Sequence, residues 1–351
     1  MCSTDTPPPA GFATGAPAAA EETAPRLAIP LEPVDSVTVT TLVDNVADML
    51  AADTGPARRP TIADGGVRVD SPLFEGGWMV QGLVAEHGFS ALVTVTKGGD
   101  THHLLFDAGL SPHALATNMR ILGVDPGGVE AIVLSHGHFD HTSGIGGFIR
   151  EVGRASVPVI IHPEFWSRRR LVIKGKDPVE LPTASRRALE ETGFTIVEDR
   201  QPSFLLDGSV LITGEVDRTS GFEPGFPPQQ AWRGDHWEPD PLVLDDQALI
   251  VNVRGQGLVV LTGCGHAGIV NITRYARRLT GIEQVHAVMG GFHLGGPLFE
   301  PLIPRVCAEL DALAPDVIVP AHCTGWAAQR AFAERFPTAF IQNTVGTRYM
   351  L

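Results

Sequence analysis

The apolar run Ala131-Ile132-Val133-Leu134 ends in Ser135-His136-Gly137-His138-Phe139-Asp140-His141, which places three imidazoles and a carboxylate within six positions. Side chains alternate sides along an extended chain, so His136 and His138 project the same way and can share one ion through neutral ring nitrogens. Asp140 and His141 follow at a turn and can face a second ion. A polar surface loop is the plain alternative, but 13 His in 351 residues make this spacing rare by composition alone. Two later apolar runs end the same way. Val259-Val260-Leu261 leads into Thr262-Gly263-Cys264-Gly265-His266, and Val317-Ile318-Val319 into Pro320-Ala321-His322. A lone His at a strand end is more often structural than a ligand. Three strand ends carrying donors require a fold that collects such ends along one edge.

The rest of the pattern is compatible with that. Residues 37–43 read as a β-branched strand ending at Asp44-Asn45. Segments 79–85, 89–96 and 102–107 read as a meander, 131–134 and 157–161 as further strands, and 112–122 and 143–152 as helices, the first closed by Gly123. The segment around 200–245 is less regular. Strands are expected at 194–198 and 209–213, and Gly221–Pro241, crowded with Pro, Gly and Trp, reads as a long substrate-side loop. Strands at 247–253, 257–262, 285–289, 316–319 and 338–341 then alternate with helices at 268–280, 301–313 and 325–334. Two β/α halves packed face to face are implied, an α/β sandwich.

With 43% hydrophobic residues, the chain can bury one large core, expected over residues 31–351 behind a disordered tail of residues 1–30 rich in Ala, Pro, Thr and Glu. A formal charge of −14 excludes a polyanion-binding face, and with it a nucleic-acid partner. The four cysteines, at 2, 264, 307 and 323, have no framework spacing, and no apolar run reaches membrane-spanning length. A cytoplasmic protein acting on a small molecule, with no membrane partner, is the expectation. Lys occurs only at 97, 174 and 176, so anion recognition would fall to Arg. Arg168-Arg169-Arg170 with the two nearby lysines is the one basic cluster; it is a solvated face or a phosphate clamp built on Arg169 and Arg170. Trp232 and Trp237 either stack on a flat heterocycle or pin their loop.

The string His136 to His141 resembles the signature of the metallo-β-lactamase superfamily. The resemblance extends through Leu42-Val43-Asp44-Asn45, Glu86-His87-Gly88-Phe89-Ser90, Asp107-Ala108-Gly109, Asp245-Asp246, Thr262 to Asn271, Gly290 to Leu294 and Pro320 to Gly325. Within that superfamily it is most similar to a branch named for a synthase that joins a dihydropterin to a ribofuranosyl-aminobenzene phosphate. The resemblance implies a four-layer αβ/βα sandwich with two mixed sheets and one or two divalent ions, zinc first, with iron or manganese as alternatives. It implies His136, His138 and His266 on one ion, and Asp140, His141 and His322 on the other. Asp107 supports the ligand loop, and Arg218 and His293 join Arg169 and Arg170 as substrate-contact candidates. Where most members carry an Asp that bridges the ions, this chain has Cys264, either a thiolate ligand or a core side chain. The leading expectation is hydrolysis of a small phosphorylated or heterocyclic metabolite by metal-activated hydroxide, with Asp140 orienting the water or taking its proton. The alternatives are transfer of a dihydropterin from its diphosphate to an aminobenzene ribose phosphate, and a non-catalytic metal- or ligand-binding protein.

Overall fold

Apolar side chains alternate along almost every long strand, and the two sets they form pack in different layers. The computed structural model describes residues 29–61, 66–153 and 156–351. In the first sheet Val37, Val39, Leu104, Phe106, Ala131 and Val133 face inward, while Leu42, Leu105 and Ile132 face outward. In the second sheet Val259, Leu261, Val317 and Val319 face inward and meet the first sheet in one core, while Leu258, Val260 and Ile318 face outward. Each outward set is covered by helices: Ala114–Ile121 and Ile145–Val152 on the first sheet, Ile269–Thr280, Ile303–Leu313 and Trp326–Arg335 on the second. The result is helices, sheet, sheet, helices, the expected four-layer sandwich.

The first sheet has eight strands in the order Thr195–Glu198, Pro158–Ile161, Ala131–Val133, Asp100–Phe106, Ser90–Lys97, Ser36–Val43, Arg348–Met350, Ala57–Arg58. The second has six, in the order Ser203–Leu205, Val210–Ile212, Leu249–Val253, Gly257–Thr262, Val285–Gly291, Val317–Ala321. Asp100–Phe106, Ala131–Val133 and Pro158–Ile161 are mutually parallel, as are Gly257–Thr262, Val285–Gly291 and Val317–Ala321. Parallel strands all end on one side, so the loops leaving them gather along one edge of the sandwich.

Four expectations are corrected. Residues 79–85 do not open the meander: among the described residues Trp78–Gln81 pairs only with Val67–Asp70, in a separate two-stranded ribbon. Residues 338–341 form no strand beyond a single bridge from Phe340 to Ile318, and the closing strand is Arg348–Met350, antiparallel to Ser36–Val43. Gly221–Pro241 is not all loop, because Gln229–Arg233 and His236–Pro239 form a hairpin that pairs with Arg169–Leu171 in a four-stranded sheet of its own. Residues 1–28 of the expected tail lie outside the described residues, but the Ile29 N–H donates to the Leu279 carbonyl at 2.7 Å and so already belongs to the sandwich. Among the described residues no helix is long and apolar enough to cross a membrane.

Tyr349 anchors the closing strand. Its side chain is fully buried in the inter-sheet core, and its hydroxyl donates to Asn343 Oδ1 at 2.8 Å. Tyr349→Ala is expected to cost about 3–5 kcal/mol, the range for truncating a large buried aromatic ring, read as a lowered midpoint in urea unfolding.

Candidate metal centre

Five loops meet at the edge where the parallel strands end. Ala131–Val133 delivers Ser135 to His141, Gly257–Thr262 delivers Cys264 and His266, and Val285–Gly291 delivers His293. Val317–Ala321 delivers His322, and Asp100–Phe106 delivers Asp107. The approach is so close that a Cβ on Gly263 would lie 2.0 Å from Ser135 Oγ, so the two halves can meet there only across a glycine. Three non-glycine residues at this edge, Asp107, His293 and His322, hold positive φ of 56°, 44° and 48°. Such strain persists only where the surroundings over-determine the backbone, and it clusters at functional sites.

Among the described residues three donor groups result: His136 with His138 and His266; Asp140 with His141, Cys264 and His322; and Cys264 with His266 and His293. Within each group the donor atoms lie within 4.8 Å of one another. The hydrogen bonds behind the rings set which nitrogens are bare. Ser135 Oγ donates to Asp107 Oδ2 at 2.7 Å and so accepts from His136 Nδ1 at 2.9 Å, which leaves His136 Nε2 a lone pair. His138 Nε2 donates to Gln229 Oε1 at 2.5 Å, which leaves His138 Nδ1 bare. These two unprotonated atoms face each other at 2.9 Å, and His266 Nε2 stands 3.2 Å from His138 Nδ1. Two lone pairs at hydrogen-bond distance repel unless a cation or a proton lies between them. Burial first, then neighbouring positive charge, holds His136 and His266 well below the usual histidine range and His138 at about 4, so a proton does not serve at neutral pH. The donor set fits a divalent cation.

His141 differs. Its Nδ1 donates to Asp107 Oδ2 at 2.7 Å, and its Nε2 lies 3.2 Å from Cys264 Sγ and 3.8 Å from Asp140 Oδ2. Burial lowers its affinity for a proton, but the Asp107 and Asp140 carboxylates outweigh burial and raise its pKa to about 9. Asp140 Oδ2 is 3.2 Å from His322 Nε2; burial works against its ionisation, and His141 and His322 still hold it well below the carboxylate range. Cys264 is 3% exposed and faces the centre, in the place the sequence left open between ligand and core side chain.

Asp107 accepts from Ser135 N, Ser135 Oγ and His141 Nδ1, behind the motif loop. The basic run does not make a clamp. Arg169 is 2% exposed and is held by Asp240 at 3.3 Å and by both oxygens of Asp245, so its charge is neutralised under the motif loop. Arg170 donates to Gln230 and lies over Trp237, and Arg168 pairs with Glu180. Trp232 and Trp237 pack edge to face at 5.3 Å across the hairpin, so they pin it. Arg218 is spent on the carbonyls of His266, Ala267 and Leu242. His293 does reach the centre, its ring 4.2 Å from that of His266. His87, exposed at the mouth, has its ring 4.8 Å from that of His322. His162 lies buried and accepts the Glu164 N–H, capping its own turn. His102 pairs with Glu130, and His103 bonds Thr94, both in the meander.

Several positioning residues went unassigned. Asp44 Oδ1 accepts the His322 N–H at 2.8 Å while Asn45 donates to the His322 carbonyl at 2.9 Å, fixing the strained turn that aims this ring. Asp245 accepts the Gly137 N–H, Asp246 the Ala267 N–H, and Gln229 orients His138. Asp44, Asp245 and Asp246 flank apolar runs, the same signal that singled out His322.

An αβ/βα sandwich with a donor cluster at its strand ends defines a class of metal-binding enzymes. The chain belongs to the metallo-beta-lactamase superfamily, whose model matches residues 83–279. It is 30% identical over 264 residues, 73% of this chain and 87% of the relative, to the 7,8-dihydropterin-6-methyl-4-(beta-D-ribofuranosyl)-aminobenzene-5'-phosphate synthase of Methanocaldococcus jannaschii. An uncharacterized protein of the same organism is 29% identical over 70% of this chain and 86% of its own length. Among solved structures, one described as a metal-dependent hydrolase of the beta-lactamase superfamily superposes with a TM-score of 0.64 at 22% identity, covering 89% of this chain and 98% of that one.

Two outcomes follow from the geometry. Asp107→Ala removes the acceptor behind His141 and Ser135 and is expected to weaken metal uptake by about 10–100-fold, read by competition with a chelator. Arg169→Ala leaves Asp245 buried without its counter-charge and is expected to cost about 3–5 kcal/mol in chemical unfolding, whereas an exposed clamp would lose almost none.

Proposed function

We propose that the chain is a metal-dependent transferase that moves a dihydropterin-type group from its diphosphate ester to an arylamine acceptor. The observation that carries this reading is the 30% identity, over 87% of its length, to a protein named as the dihydropterin-ribofuranosyl-aminobenzene phosphate synthase. The charge at the centre supports it. Asp140 is the one carboxylate in the donor groups, the imidazoles there are mostly held neutral, and Arg169 is already paired. His136, His138 and His266 would hold one ion, and Asp140, His141 and His322 with Cys264 a second. Zinc suits this nitrogen-rich set with one sulfur. When bound, such ions supply positive charge to a leaving diphosphate or Lewis acidity to a water.

In transfer, the arylamine attacks the methylene carbon beside the pterin, the carbon–oxygen bond to diphosphate breaks, and diphosphate departs with the electron pair. The acceptor's proton passes to a base at the mouth, where Asp140 Oδ2 and His87 Nε2 stand 3.9 Å apart. Phe226, Phe299 and His293 pack together against His266 and offer an apolar wall to a flat heterocycle. Hydrolysis is the second reading. It is favoured by Asp140, whose ionised carboxylate keeps 13% of its side chain exposed at the mouth and can orient water.

Incubation with a dihydropterin methyl diphosphate, with and without an aminophenyl ribose phosphate, separates the two. Coupled product with diphosphate release only when the acceptor is present supports transfer. Release without it supports hydrolysis, and no turnover in either arm sinks both. Asp140→Asn is expected to slow the reaction by about 10²-fold or more.

A further inference from the structure

We propose that the Cys264 sulfur is a ligand shared between the two ion positions and that His293 is a further donor beside it, so that the centre selects a thiophilic divalent cation. The inference rests on the metal-binding reading of the site and not on which reaction it serves.

Cys264 and His266 each belong to two of the three donor groups. The sulfur, 3.2 Å from His141 Nε2, ties the Asp140–His141–His322 group to the rings of His266 and His293. The bland alternative is a buried thiol donating to His141. That alternative leaves His266 Nδ1, His293 Nδ1 and His322 Nδ1 without a hydrogen-bond partner, while His322 Nε2 faces the Asp140 carboxylate at 3.2 Å. His266 and His322 are 2% and 3% exposed, so bulk solvent does not reach them. An unsatisfied buried polar atom is destabilising, and three on rings grouped with the Cys264 sulfur point to a cation as the missing partner.

His293 is held for this purpose. It follows Gly290-Gly291 with a left-handed φ of 44°, and its ring is packed by Phe226 at 4.9 Å and Phe299 at 4.7 Å, on the side of His266. A side chain merely filling the core would not need a strained backbone to reach a donor cluster. Metal binding at Cys264 expels the thiol proton to solvent and forms a sulfur–metal bond, with no change of oxidation state. One carboxylate and one thiolate against two dications leave two positive charges uncompensated, a balance suited to a diphosphate-bearing ligand. Soft sulfur with imidazole favours zinc, cobalt or cadmium over manganese or magnesium.

The test uses cobalt as the probe. Full-length protein stripped with chelator is titrated with Co²⁺, uptake is measured by elemental analysis, and the thiolate-to-cobalt charge-transfer band is read in the near ultraviolet. Wild type is expected to show the band, Cys264→Ser to lose it while circular dichroism stays unchanged, and Cys264→Asp to gain manganese affinity relative to cobalt. Cys323→Ser should keep the band, because Cys323, which donates to the Cys264 carbonyl and lies beside the Cys264 and His293 side chains, belongs to none of the donor groups. His293→Ala is expected to weaken cobalt uptake by about tenfold or more with the band retained. Cobalt uptake by wild type without the band, or a band that survives in Cys264→Ser, overturns the shared sulfur and leaves the metal centre standing. Unchanged uptake in His293→Ala removes that residue from the donor set, and no uptake at all removes both this inference and the reading beneath it.

Discussion

The apolar seam between the two sheets is the constraint on which the donor cluster depends. Val37, Val39, Leu104, Phe106 and Val133 from one sheet interlock with Val251, Val259, Leu261, Met289 and Val319 from the other. Interiors pack at crystal-like density, so this seam fixes the relative position of strand ends to within fractions of an ångström. Loops of a few residues then suffice to bring His136, Cys264, His293 and His322 together. The close approach of Gly263 to Ser135 shows how little slack remains.

Bringing so many imidazoles out of water is unfavourable unless each ring has a defined proton and a defined partner. For His136, His138 and His141 the chain achieves this from behind. Ser135, Gln229 and Asp107 each engage the far nitrogen of one ring, and Asp107 is itself fixed by two bonds from Ser135. Every such bond turns a bare lone pair toward a common interior. Asp44 and Asn45 do the same for His322 through its backbone, reaching from the first sheet across to the last strand of the second. The halves of the sandwich are thus joined by polar groups at the edge as well as by apolar contact beneath it.

Charge pattern was the poorest guide. Three consecutive arginines in an acidic chain suggest an anion site, yet Arg169 and Arg170 open a strand that Arg168 directly precedes, and successive side chains along it point to opposite faces. Arg169 turns inward to Asp240 and Asp245, while Arg168 and Arg170 turn out to Glu180 and Trp237. Their partners lie 12 to 76 positions away in sequence, so local reading could not find them. The tryptophans met the same fate, because pairing Gln229–Arg233 with His236–Pro239 sets Trp232 directly opposite Trp237.

Residue spacing alone determined the sandwich class, most of the long strands, and the strand-end motifs that hold His136, His138, Asp140 and His141. These are local properties: a period of two, a run that ends in donors, a glycine that stops a helix. Which donors meet, which ring nitrogen is bare, and whether Cys264 points at the centre or away from it were decided by tertiary structure. Those outcomes depend on distances between segments more than a hundred residues apart, such as His141 and Cys264, and only the packed seam sets such distances.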